Sequence, residues 1–209
     1  MIDQTMDASS ADWYNLIKRD WRKLRDAPVR FCSDRELILA SIGESWGWVL
    51  EVAADSLQAD REVVLESVRQ DGLTLQFASE ELRADHGIVH ASVQRNGWAL
   101  EHASESLRQD TDIVLQAALK SCGQALAYAT AKLLGQEQFW SKLIKLFPRP
   151  LGRILDHLPD ELRNDRQLVI EAVEKDWRAL AFASDNLKAD RGVVRLAVRQ
   201  NWESLIYAA

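Results

Sequence analysis

Cysteine is nearly absent: Cys32 and Cys122 are the only two in 209 residues, far apart and outside any metal-ligand spacing. Such a pair reads as two structural thiols in a reducing compartment rather than a disulfide framework. Long apolar runs are missing too, and no stretch reaches the roughly 20 residues a transmembrane helix requires. The opening MIDQTMDASSADWY is acidic and shows neither the basic n-region nor the apolar h-region of a secretory signal. Excess positive charge is lacking; the net charge of −6 weighs against a duplex-DNA binder, whose affinity comes mostly from neutralised phosphates. Nine glycines, several of them at turns, leave no phosphate-cradling loop. There is no GxSxG, GxGxxG, Walker A or HExxH pattern. No catalytic, cofactor-binding or metal-binding residues emerge, and an enzyme is not expected.

What is present is one sentence said repeatedly. NGWALEHASESLRQD (96–110) echoes DGLTLQFASEELRAD (71–85) and DWRALAFASDNLKAD (176–190). Asp60, Asp85 and Asp110 are 25 residues apart, as are Asp165 and Asp190. Asp34 precedes Asp60 by 26, with the extra residue at Trp46–Gly47–Trp48. Full-length units therefore begin at Ser9, Asp34, Asp60, Asp85, Asp110, about Gln136, and Asp165, and an eighth from Asp190 stops short at Ala209. Self-similarity at this period is the signature of a solenoid.

Inside a unit the pattern is chemical. Val63, Val64, Ser67 and Val68 recur at helical spacing and give one buried stripe. Asp60 is placed to cap that helix, and Glu62 suits the positive end of its dipole. Asp71-Gly72 and Asn96-Gly97 then end it, the glycine being expected in the left-handed conformation. A second apolar run, Leu73 to Leu82, is divided by comparison with other units, because Pro28 and Pro159 occupy the slot of Ser79, Ser104 and Ser184. Proline belongs in a first helical turn and serine is a good cap, so a second helix ends near Ala78 and SEELRA forms a separate turn. The expected fold is an all-α, elongated helical-repeat solenoid of about eight units, each a long helix, a short helix and a single turn. Its segments are a tail at 1–8, five repeats over 9–135, a degenerate repeat over 136–164, and the last repeats over 165–209, in one continuous domain.

The pattern D-R-x-V-V-L-x-x-V-x-x-(N/D)-G-x-x-L-x-x-A-S-x-x-L-R-x-D resembles the repeat family catalogued as domain of unknown function 4116. The resemblance is strongest over 60–109 and 165–209, with one family copy to about two units here. It implies a multi-copy helical array and brings no functional residues with it.

Departures from the repeat are the candidate sites. The largest is QEQFWSKLIKLFPRPLGRIL, 136–155, about four residues too long, with Pro148 and Pro150 in the insertion. Residues 136–153 hold Lys142, Lys145, Arg149 and Arg153 against Glu137, whereas 34–135 carry sixteen acids and eight bases. With Phe139, Trp140 and Phe147 this is a candidate docking loop for an acidic partner or a lipid surface; the plainer alternative makes its apolar residues a helix core stripe and its cations the wet face. Trp46, Trp48, Trp98, Trp177 and Trp202, with Trp21, cluster just after the long helices. Exposed, they form a strong protein-binding stripe; packed between units, they are core, which accounts for them more simply. The Asp-Arg pairs opening units read as caps with surface ion pairs, the His86/His90 pair lacks a third ligand, and Asp110–Asp112 is a helix first turn.

The C-terminal unit exposes an apolar edge, Leu205 to Tyr207, expected to be continued or covered. The expected function is a non-enzymatic scaffold or adaptor binding other proteins, or an accessory subunit of a larger assembly. It would sit inside the cell, in the cytoplasm or an organelle. The alternative is a ligand-binding module or enzyme with its site at the 136–155 break.

Overall fold

Each aspartate that opens a unit turns its carboxylate onto the helix behind it. Asp60 Oδ1 accepts from the amides of Glu62 at 2.9 Å and Val63 at 3.1 Å; Asp34, Asp85, Asp110, Asp165 and Asp190 do the same at their own helices. Such a cap satisfies donors that the helix itself leaves orphaned and contributes about 1 kcal/mol. A computed structural model describes residues 10–148 and 150–209; the expected tail at 1–8 lies outside it. Eight long helices follow: α1 (Ser10–Arg19), α2 (Arg35–Ser45), α3 (Arg61–Gln70), α4 (His86–Arg95), α5 (Thr111–Lys120), α6 (Glu137–Leu146), α7 (Arg166–Lys175) and α8 (Arg191–Gln200). No strand occurs among the described residues.

The long helices do not end as the glycines suggest. Asp71, directly after α3, is extended (φ −139°, ψ 119°), and its carboxylate accepts from the Leu73 amide at 3.0 Å. One residue thus ends a helix and caps the next, and Asp20, Asn96, Asp176 and Asn201 repeat the device. Gly72 is needed for closeness instead: a Cβ there would lie 2.3 Å from the Ser92 carbonyl oxygen. Left-handed residues occur as two pairs, Trp46 with Gly47 (φ 55° and 83°) and Cys122 with Gly123 (φ 55° and 90°). Both pairs fall in units one residue longer than 25, where the extra residue has to be folded into the turn.

The second helix of a unit is a 3₁₀ helix, as at Gly72–Phe77, Gly97–His102 and Trp177–Phe182. Its geometry follows from its apolar spacing. Gly72, Leu75 and Ala78 are buried three residues apart, as are Gly97, Leu100 and Ala103, and three residues per turn places such a series on one edge. The division after it holds. Single turns start at Glu80, Asp160 and Asp185, behind Ser79, Pro159 and Ser184, and another starts at Val29 behind Pro28.

Successive layers are joined by a recurring set of bonds. The amide at the serine slot donates to the preceding layer, Ser79 to Gln58 O at 3.0 Å, Ser104 to Arg83 O and Ser184 to Arg163 O at 2.9 Å. Three arginines that directly follow a cap reach forward to the next one: Arg35 to Asp60, Arg61 to Asp85 and Arg166 to Asp190. In the first unit the Tyr14 hydroxyl takes that place and donates to Asp34. Arg95 Nε donates to Gln70 O at 2.9 Å, Lys175 Nζ to Lys145 O at 2.7 Å, and Gln200 Nε2 to Glu174 O at 3.1 Å. These last bonds satisfy the final carbonyls of the preceding long helix.

Between these bonds lies the core. Val63, Val64, Val68 and Leu75 are fully buried, as are their counterparts Ile88, Val89, Val93 and Leu100. Each such side chain contributes about 1.5–3 kcal/mol relative to leaving it exposed. Contacts divide the chain into two compact units, the first ending at Leu107 and the second running Arg108–Ala209. In the first, α2 packs on α3 and α3 on α4; in the second, α6 packs on α7 and α7 on α8.

Candidate functional site

The turns that follow the long helices of the first unit enclose an open groove of about 620 Å³. Trp21 opens the 3₁₀ helix Trp21–Arg25, and Trp48 opens the 3₁₀ helix Trp48–Glu51. Trp46 stands between them in the left-handed turn. Arg22, Glu44 and Arg95 supply the charge along the walls, with Asp71 and Gln70 between. The groove therefore crosses the turns of four successive repeats.

The walls differ in how firmly they are held. The Trp48 ring stands edge-on to Phe77 at 5.5 Å, and its Nε1 donates to Asp71 Oδ2 at 3.1 Å. The same aspartate therefore caps a 3₁₀ helix with one oxygen and fixes an indole of the preceding layer with the other. Arg22 pairs with Asp20 at 3.6 Å and lies over the Trp21 ring at 5.3 Å, and Arg95 is engaged on Gln70 O. Trp46 is the contrast, 64% exposed on a backbone conformation that costs a non-glycine residue about 1–2 kcal/mol. Cys122 adopts that conformation in the other long unit, so the turn does not demand an indole. Glu44 makes no side-chain hydrogen bond or ion pair among the described residues.

The tryptophan stripe thus resolves into two sorts. Trp48 and Trp177 are half-buried packing residues, Trp177 stacking on Tyr207 at 6.1 Å beneath the Arg178 guanidinium. Trp46, Trp98 and Trp202 are exposed, but of these only Trp46 lines the groove.

The 136–155 break loses its aromatic surface. Phe139, Trp140 and Phe147 are 1%, 0% and 4% exposed; the first two form the inward face of α6 with Leu143 and Ile144, and Phe147 is buried directly after the helix. An amphipathic helix in a stacked array must turn that face to its neighbours, which corrects the reading of these three as partner contacts. Lys142 and Lys145 are exposed on the opposite face, Lys145 lying 3.7 Å from Glu171. Arg149 lies outside the described residues, and of Arg153 only the backbone, in the turn Gly152–Leu155, is described. The insertion itself is anchored: Leu151 is fully buried and its amide donates to Asp176 Oδ2 at 3.0 Å. A cavity of about 340 Å³ beside it is lined by Ile144, Lys145, Glu171, Glu174 and Lys175. Lys145 pairs with Glu171 and Lys175 caps α6, while Glu174 lines the same cavity.

The remaining motifs are structural. Asp110 caps α5 through the amides of Asp112 and Ile113. The His86 and His90 rings stack at 6.1 Å, and among the described residues no three His, Cys, Asp or Glu side chains converge on a metal-sized space. Both cysteines are free thiols. No described helix is long and apolar enough to cross a membrane.

The helical layers behind this groove carry a family signature. The profile of a domain of unknown function, number 4116, matches residues 44–83, 85–134, 137–188 and 165–209, the last two overlapping. The chain belongs to this family. No curated protein and no solved structure matches the chain. Membership in domain-of-unknown-function family 4116 fits the structure in one particular: each matched segment takes in more than one layer, the smallest object in which a stripe such as Val63/Val64/Val68 is covered.

Sequence reasoning passed over Arg22, Glu44, Asp71 and Arg95, four of the groove's polar residues. For Glu44 a signal existed. Its slot holds Gln70, Arg95, Lys120, Lys175 and Gln200 in other units, so an acid there is the anomaly.

Proposed function

We propose that this protein is a non-enzymatic interaction module that binds other proteins through the tryptophan groove of its first unit. The observation that carries the reading is the pairing of an exposed indole, Trp46, with a lined groove of protein-ligand dimensions. Tryptophan is among the residues most enriched in protein-binding hot spots, and Trp46 is held out to solvent beside the groove rather than packed. The groove extends across four repeats, roughly 25–30 Å at 8–10 Å per layer. An extended segment of eight or nine residues, at about 3.3 Å each, spans that length.

The test is affinity capture from the host with the intact chain beside a Trp21→Ala/Trp46→Ala variant whose circular dichroism and thermal midpoint match the wild type. Proteins held by the wild type and lost by the variant support the reading. Identical captured sets would refute it.

A further inference from the structure

The groove contains a departure from the repeat that points to the charge of what fills it. Seven of the eight long helices carry a cation in the last turn: Lys18 and Arg19, Arg69, Arg95, Lys120, Lys145, Lys175 and Arg199. That is the sign the negative end of a helix dipole favours. Helix α2 alone has none there and carries Glu44 instead. In later units the residue in the Glu44 slot does defined work: Arg95, Lys175 and Gln200 donate to the last carbonyls of the preceding helix. A carboxylate cannot donate. Glu44 therefore forfeits an inter-layer bond and sets a negative charge at the negative end of a dipole.

Leu146 in the same slot also cannot donate, but only Glu44 places an acid there, and it does so at the groove. Glu44 lies two residues from Trp46, whose ring is exposed, and across from Trp21 and Trp48. The groove's two cations are already engaged, Arg22 by Asp20 and the Trp21 face, Arg95 by Gln70 O. An indole face beside an unpaired carboxylate and a helix C-terminus is complementary to a cation. Residues 10–107, the unit that holds the groove, carry seventeen acids to eleven bases, a net acidic field that favours the approach of a basic partner.

Resting on the groove reading above, we infer that the occupant is an extended, basic polypeptide segment. One of its arginine or lysine side chains lies against Trp46, is neutralised by Glu44, and supplies the cation that the repeat omits at this helix end.

The experiment is panning of a random nonapeptide library on the full-length chain, with counter-selection on Trp46→Ala. The enriched peptides are expected to share an arginine or lysine at one position. Replacing that residue with neutral citrulline or norleucine is expected to weaken binding about tenfold, the scale of a cation–π contact joined to one ion pair. Glu44→Arg restores the repeat pattern from within, so it is expected to abolish binding while raising the thermal midpoint. A merely structural acid would not show that opposition.

Trp46-dependent peptides without a basic residue would overturn the inference and leave the groove reading standing. Absence of any Trp46-dependent peptide would count against both. A single-stranded dT15 oligonucleotide joins the same assay; Trp46-dependent binding of it, lost in Arg22→Glu, would assign the groove to an anion and overturn the inference as well.

Discussion

At the scale of single residues, two aspartate oxygens account for most of the joinery. The Arg35 guanidinium, then the amides of Val63 and Glu62, hold the Asp60 carboxyl below the ordinary carboxylate range. At Asp85 and Asp190 the backbone amides act first and Arg61 or Arg166 second; at Asp34 the Tyr14 hydroxyl leads. A depressed folded value means stability fully present above the unfolded value, near 3.9, and lost as pH falls through the folded one. Urea midpoints are therefore expected to stay level from pH 7 to about 5 and to drop below about 4. Asp60→Asn keeps the cap and loses the ion pair, costing no more than about 1 kcal/mol at pH 7, and the difference from the wild type is expected to shrink as pH falls through the lowered folded value. Two glycines give a sharper contrast. Gly72→Ala meets a carbonyl oxygen at 2.3 Å, whereas Gly43, within α2, has nothing within 4 Å of a built Cβ. Chemical denaturation is expected to show Gly72→Ala losing about 2 kcal/mol or more and Gly43→Ala gaining about 0.5–1 kcal/mol.

At the scale of elements, what was legible in the sequence was what depends on near neighbours. The Asp caps, the Val63/Val64/Val68 stripe and the boundary marked by Pro28 and Pro159 each follow from residues within one turn. Gly72 was misread because its reason stands in the next layer, at Ser92. The 3₁₀ character of Gly72–Phe77 was present in the three-residue spacing of Gly72, Leu75 and Ala78, but that spacing also satisfies an α-helix until Ser79 stops it. Exposure of Trp46 was illegible for the same physical reason as Gly72, since adjacent units decide it, whereas burial of Trp140 was legible as the core-stripe alternative, because Phe139, Trp140, Leu143 and Ile144 share one helix face. The 148–151 insertion tests the element scale directly. Asp176 is 2% exposed and accepts both the Leu151 amide and the Arg178 amide. Asp176→Ala strands those donors and is expected to cost about 2–4 kcal/mol, with a limited-proteolysis cut appearing near Pro148–Leu151. Asp176→Asn, which keeps one acceptor, is expected to lose less.

At the scale of the whole molecule, the layers within each unit respond locally, because each layer's contacts are chiefly with its neighbours. Hydrogen exchange in Gly72→Ala is expected to accelerate first in α3 and α4 and to leave α7 and α8 at wild-type protection. This locality lets one repeat depart from the pattern, as α2 does at Glu44 and Trp46, without unsettling the others. The central claim is that binding occurs at that departure and not at the 136–155 break. It is tested most directly by photo-cross-linking in host cells, with p-benzoylphenylalanine at Arg22 on the groove in one variant and at Lys142 on the exposed face of α6 in another. The account predicts discrete protein adducts from position 22, competed by a groove-binding peptide, and none from position 142. Adducts from position 142 alone would contradict it and return the binding surface to the insertion.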